Sequence, residues 1–404
     1  MSTMALDGVK VLEFAGFISG PYCSKLIADL GAEVIKLEDP KGGDDARGRG
    51  PFLGDMPHRE RSGLFLYLNT NKMGITMDIN TKRGREIFKE MIVEMDVLIE
   101  DNPPSVMKKL ELSYQHLKEI NPKLIMTSIT PFGQTGPYRD YKAYNLNLSH
   151  VAGGGFMNPL GSSNYDREPI KAPGFMDDYL CGLSAATATL SAIFSRSITG
   201  EGQHIDISKQ QALINLDRVE FDHYPNQGKI AHRVPTEVYE GGLSYIKCKD
   251  GYVVAVAMND RQWESIVNMM GQPEWAKDER FASMESRIEH SEVLQTLMGE
   301  ELLNFTKEEI YHGGQIGGGM VGMVCSIDEV VNSKQLSTRG FFVDIDHPEA
   351  GRLKYPSASY QFSKTPWRVR MAAPLLGEHN EEIYINRLGY SDDEFVKLRM
   401  GGVI

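Results

Sequence analysis

Cysteine is scarce in this chain of 404 residues: Cys23, Cys181, Cys248 and Cys325 stand far apart, and no two form a C-x-x-C pair. That spacing suits neither a disulfide framework nor a zinc site. With no secretory leader legible ahead of Cys23, a reduced, cytoplasmic compartment is expected. Long apolar runs are missing as well. The longest, Tyr252 to Met258, spans seven residues, far short of the ~20 that a membrane-crossing helix needs, so no membrane segment is expected. Basic charge is in deficit: 43 Lys and Arg face 55 Asp and Glu, a formal net charge of −12. That argues against nucleic acid or an anionic membrane surface as a partner. No P-loop, H-E-x-x-H or G-x-S-x-G elbow occurs, and the His residues form no metal-ligand cluster, so no metal is expected. No repeat or low-complexity segment interrupts the chain. Apolar and charged residues are present in the proportions of an ordinary globular protein, long enough for two or three folding units.

The opening residues set the fold class. Val9 to Ala15 reads as a buried strand, Gly20-Pro21 opens a helical pattern closed by Gly31, and Ala32 to Leu37 reads as a second strand. Such a βαβ unit calls for a parallel sheet covered by helices. The pattern continues with strands at Gly74 to Ile79, Asp96 to Glu100, Leu124 to Ile129 and Gln203 to Ile207, and a helix at Thr81 to Met95. The expected class is α/β, a Rossmann-like sheet with ligands near the carboxyl ends of its strands. Leu183 to Phe194 is rich in small residues and suits a closely packed helix. Turn formers between Tyr224 and Pro235 place the main boundary there. A smaller α+β domain then opens with a hairpin around Lys249-Asp250-Gly251.

Gly317 to Gly322 satisfies G-x-G-x-x-G, but it follows a helix and leads into a strand, the reverse of the order dinucleotide binding requires. His204-Ile205-Asp206 fits alternation along a strand better than a metal site. Asp177 and Asp178 lie between a turn and the small-residue helix. One account makes them a helix cap and a partner of the helix's positive end; the other makes one of them a nucleophile.

Several runs bear on that choice: LDGVKVLEF (6–14), GPYCSKLIADLGAEVIKLEDP (20–40), NTNKMGITMDI (69–79), DVLIEDNPPSVMKKL (96–110), GFMDDYLCGLSAATATLSAIFSRSITGEGQHIDIS (174–208) and APLLGEHNEEI (373–383). In order and spacing they resemble the class III CoA-transferase family, which holds formyl-CoA transferases, carnitine CoA-transferases and α-methylacyl-CoA racemases. The resemblance implies a Rossmann-like large domain built from both chain ends (1–225 and 329–404), a linker at 226–234 and a small domain at 235–328. It implies two such chains interlocked as a homodimer, with a heteromeric partner subunit as the alternative. Aligned through Tyr179 to Gly182, the family's nucleophilic aspartate falls on Asp178.

By the same resemblance, Lys72, Lys109, Lys142, Ser19, Asp101 and Asn102 are expected to contact coenzyme A, the lysines as exposed charges on its phosphates. Phe17, Ile18, Tyr144, Asn145, Gly153 and Gly154 are expected to contact substrate, the glycine loop offering N–H groups to an oxyanion. Two departures stand out: Ile18 replaces a glutamine found in some members, and Asp101 to Ser105 replaces N-F-R-P-G. The expected activity moves CoA from an acyl-CoA donor such as succinyl-CoA to a carboxylic acid through an acyl-aspartyl anhydride. A carboxylate suits this, being ionised at neutral pH without a partner base. Phe17, Tyr22, Tyr144, Phe175 and Tyr179 suggest an acceptor with apolar or aromatic bulk, unless they are simply core. Racemisation is one alternative, but the branch's G-H-D-x-N-Y run is here Ala143 to Leu148, with Tyr144 and Asn145 in place of the acid/base pair. A CoA-binding scaffold subunit is the other.

Overall fold

The computed structural model describes residues 4–158, 166–216, 218–233 and 245–404. Six parallel strands, β1 (Lys10–Phe14), β2 (Glu33–Glu38), β3 (Lys72–Thr76), β4 (Val97–Glu100), β5 (Ile125–Thr130) and β6 (His204–Ser208), form one sheet in the order β3-β2-β1-β4-β5-β6. Successive residues of each strand face opposite sides. Leu12, Ile35, Leu98 and Met126 pack on one side with Ile87 and Phe88 of the helix Lys82–Ile92. Val11, Val34, Val97 and Ile125 pack on the other with Cys23 and Ile27 of the helix Ser19–Ala28 and Ala185 and Ala186 of the long helix Met176–Thr199. Both faces are covered, which is why these strands read as nearly continuous apolar runs. The order reverses between β1 and β4, so a crevice opens beyond their carboxyl ends.

The chain divides into two compact units, Met1–Gly155 with Lys171–Asp222 and Thr338–Ile404, and Phe156–Ile170 with His223–Ser337. In the first, the carboxyl-terminal segment returns to the sheet: Tyr384 Oη donates to Thr76 O at 2.7 Å and Asp78 N to Val403 O at 2.7 Å. An antiparallel hairpin, β7 (Tyr245–Cys248) and β8 (Gly251–Val256), is joined by β9 (Met320–Met323) in the second unit, and β10 (Phe342–His347) pairs with β11 (Gly351–Pro356) in the first.

Several details differ from expectation. The segment expected as a linker from 226 begins as helix, since Arg218–Gln227 is helical with Pro225 inside it. The expected start of the small domain at 235 lies outside the described residues. Phe156–Ile170 groups with the second unit, where the Phe156 ring lies 6.3 Å from that of His232, and the chain rejoins the first unit at Thr338 rather than 329. β3 starts two residues early because Lys72 and Met73 pair with Val34 and Ile35 of β2. The glycine run at 317–322 leads into β9, as its order implied.

Candidate active site at the carboxyl ends of β1 and β4

Four chain segments converge beyond the point where the strand order reverses. After β1 the backbone turns through Gly16 and Phe17 into the helix Ser19–Ala28. Two carboxylates pin that turn: Gly16 N donates to Asp101 Oδ2 at 3.1 Å and Phe17 N to Asp44 Oδ1 at 2.9 Å. Phe17 is held at φ 62°, a left-handed conformation that a bulky residue adopts only where its surroundings enforce it. The turn delivers Ser19 to the first position of its helix.

Asp178 enters from the first turn of the long helix, whose N-cap is Phe175. Neither aspartate is therefore the cap, which removes half of the purely structural account. Asp178 is only 4% exposed, and its carboxylate accepts from three side chains: Ser19 Oγ to Oδ1 at 3.1 Å, Asn145 Nδ2 to Oδ2 at 3.1 Å and Lys209 Nζ to Oδ1 at 3.0 Å. Asn145 begins the helix Asn145–Val151, and Lys209 begins the helix that follows β6. Small residues allow this convergence. A Cβ on Gly182 would lie 2.6 Å from Ser19 O, and one on Gly20 would lie 2.3 Å from Ala15 Cβ. Any larger side chain would drive Ser19 away from Asp178.

The neighbouring groups are tuned differently. Asp177 is half-buried, and burial together with the Asp178 charge raises its carboxyl above the usual range, against a bond from Ser149. Burial pushes Asp101 up to about 7, opposed by the Lys209 charge. Cys181, whose Sγ lies 3.6 Å from Lys209 O, has its thiol pushed up to about 12 by burial, so it is no competing nucleophile. Two aromatic pairs flank the carboxylate: Phe17 with Phe175 at 5.0 Å and Tyr22 with Tyr179 at 4.9 Å between centroids, both edge-to-face and half-buried.

Of the residues singled out from sequence, Ser19 and Asn145 meet Asp178 directly, while others are placed differently. Lys72, expected as an exposed cation, is fully buried: its Nζ lies 2.8 Å from Glu13 Oε2 and donates to Pro21 O and Asn69 Oδ1, each at 2.9 Å. Although β3 is an edge strand, Glu13, Pro21 and Asn69 enclose the side chain, and burial, only partly offset by Glu13, lowers it to about 8. Ile18 is also fully buried, since it is the N-cap of its helix and packs inward. Asn102 secures the turn after β4, its N–H donating to Glu100 Oε2 at 2.8 Å and its Nδ2 to Phe14 O at 3.3 Å. The N–H of Gly153 is engaged by His150 O at 3.1 Å, and its lack of a side chain leaves room for the Phe221 ring, which a Cβ would meet at 2.6 Å; Gly154 opens a short helix. Tyr144 is 73% exposed, as are Lys109 and Lys142 in large part. Lys209 escaped sequence reading. Its one legible signal is a cation placed immediately after a strand, at the end of the sheet where ligands bind.

The model of CoA-transferase family III matches residues 6–380. The chain is 32% identical to the formyl-CoA:oxalate CoA-transferase of Streptomyces avermitilis over 420 aligned residues, covering the whole of both chains. It is 31% identical to the succinyl-CoA–D-citramalate CoA-transferase of Chloroflexus aurantiacus, over 99% of this chain and 98% of that one. Among solved structures, a CAIB/BAIF family protein from Brucella suis superposes with a TM-score of 0.83 at 31% identity, covering 95% of this chain and 99% of the other.

Proposed function

Because the chain belongs to CoA-transferase family III and moves CoA between an acyl-CoA and a carboxylate, we propose that Asp178 is the nucleophile that carries the acyl group. The observation supporting this is the carboxylate itself: buried beyond β1 and β4 and oriented by Ser19, Asn145 and Lys209, all within 3.1 Å. Attack of an Asp178 oxygen on the thioester carbon forms a C–O bond, breaks the C–S bond and releases CoA as its thiolate. The resulting anhydride keeps the thioester's activation. The thiolate then attacks the aspartyl carbonyl carbon, freeing the donor acid as a carboxylate and leaving an aspartyl thioester. The acceptor carboxylate displaces the thiolate from that carbon, and the thiolate finally attacks the acceptor's acyl carbon, regenerating Asp178. No water, metal or redox step is needed for the balance.

Succinyl-CoA is the donor we favour, because relatives named for succinyl transfer are similar over nearly their whole length. The half-buried ring pairs Phe17–Phe175 and Tyr22–Tyr179 support an acceptor with apolar or aromatic bulk. Exposed Lys109 and Lys142 are suited to CoA phosphates; Lys72, spent on Glu13, is not part of this reading. The working form is read as a homodimer by family resemblance, and the four free cysteines fit a reducing, cytoplasmic setting. Racemisation is disfavoured because the group beside Asp178 is the Asn145 amide, which exchanges no proton near neutral pH.

Trapping tests the central claim. Incubation with succinyl-CoA and no acceptor, followed by hydroxylamine, should leave a hydroxamate on the peptide carrying Asp178, located by mass spectrometry. A chain that turns over and gives no label there would point to direct transfer between bound substrates. A panel of aromatic, hydroxy and dicarboxylic acids with succinyl-CoA and acetyl-CoA tests the acceptor.

A further inference from the structure

Three donors hold Asp178, but only one of them carries charge. Lys209 Nζ lies 3.0 Å from Oδ1, and the two side chains are 14% and 6% exposed, so the pair is a nearly buried, electrically neutral unit. Ser19 and Asn145 can keep donating to an acylated Asp178, because an anhydride oxygen still accepts a hydrogen bond. Lys209 is in a different position. Acylation converts the carboxylate into a neutral group, and a nearly buried ammonium that loses its counter-ion is costly unless another anion replaces it. The reaction supplies one. Each displacement at the Asp178 carboxyl carbon either releases a carboxylate or brings one in. That carbon is bonded to Oδ1, the atom Lys209 already touches, so a carboxylate oxygen approaching it in bonding geometry comes within reach of Nζ.

We infer that Lys209 is the carboxylate-binding residue for the exchanging acids, pairing with Asp178 in the resting site and with the departing or arriving organic carboxylate once Asp178 is acylated. This rests on the assignment of Asp178 as the nucleophile. The ligand class is an organic acid recognised through its reacting carboxylate; the remainder of the acid is left to the aromatic pairs beside it. Lys209 breaks and forms no covalent bond. It keeps one negative charge opposite one positive charge as the anion passes from Asp178 to the free acid and back.

Isotope exchange tests this whatever the natural acceptor: labelled succinate into succinyl-CoA, and labelled acetate into acetyl-CoA. Lys209→Met, which keeps length and removes charge, should raise the KM for the acid by about tenfold or more while the KM for the acyl-CoA shifts less than about threefold. Lys209→Arg should restore most of the acid affinity, which a residue that only props up the helix would not require. The inference is overturned if Lys209→Met keeps the acid KM within about twofold, or if Lys209→Arg resembles Lys209→Met. Asp178→Asn separates the two claims. Exchange that survives in it removes the nucleophile reading; its loss, together with an unchanged acid KM in Lys209→Met, removes only the role of Lys209. Absence of exchange with both acids in the unaltered chain would remove the reading on which the inference rests.

Discussion

Two clusters of lysine and carboxylate lie in the first compact unit and put the same side chains to opposite uses. In one, Glu13 on β1 stands in register with Lys36 on β2, and Lys72 on β3 reaches the same carboxylate; the ammoniums lie 2.7 and 2.8 Å from it, and all three side chains are fully buried. Lys36 Nζ also lies 2.7 Å from Asp44 Oδ2 and donates to Ala15 O at 3.1 Å, while Ser24 Oγ donates to Glu13 at 2.6 Å. Burial works against the Glu13 and Asp44 charges, but the lysines prevail and hold both carboxyls below their usual range. Every group has a fixed partner and none has a route to exchange it. In the other cluster, Asp178 has one cation and two neutral donors, and the cation is the most exposed member. A closed set of charges holds a fold together, whereas a carboxylate with a single replaceable counter-ion can give up its charge during a reaction.

That contrast can be broken most sharply at Asp178. Asp178→Ala should lower CoA transfer by about 10⁴-fold or more, with the circular dichroism of a folded chain; activity above a few per cent would refute the nucleophile. Next in size, Glu13→Ala leaves the buried Lys72 ammonium without its carboxylate and Lys36 with Asp44 alone, and should cost about 3–5 kcal/mol in urea unfolding; a loss below about 1 kcal/mol would show that the buried cluster relaxes freely. Lys109→Ala and Lys142→Ala should each weaken CoA binding by about 1–2 kcal/mol, more at low salt than at high, with kcat nearly intact. Lys72→Ala, by contrast, should register in stability, and a KM effect from Lys72 equal to theirs would erase the distinction between buried and exposed lysines. Asp177→Ala should reduce transfer by less than about tenfold, since its carboxylate does not meet Ser19, Asn145 or Lys209.

The smallest expected effect is a slope with pH. Burial pushes Glu100 up to about 7, against hydrogen bonds from Ser128 and Asn102, so the folded chain holds this proton where the unfolded chain has lost it. The associated stability is fully present below about pH 4 and is lost as pH rises through about 7. Glu100→Gln should flatten that part of the urea midpoint against pH. An unchanged slope would mean that Glu100 stays ionised in the folded chain.

Much of this was legible along the chain, because local spacing encodes local structure. The apolar runs marked all six strands of the sheet, and the Lys249-Asp250-Gly251 turn marked the β7–β8 hairpin. The small residues after Asp178 foretold a helix packed at close range, and Gly182 against Ser19 shows the reason. Charge partners were decided only in three dimensions. Lys72, Lys109 and Lys209 look alike in sequence, since a lysine is ordinarily a solvated surface charge. The fold buries the first against Glu13 even though its strand is at the sheet edge, leaves the second exposed, and brings the third across 31 positions to Asp178. Periodicity reports which face of an element is apolar; it carries no record of which distant side chain will lie opposite a given one, because that follows from strand order and helix approach.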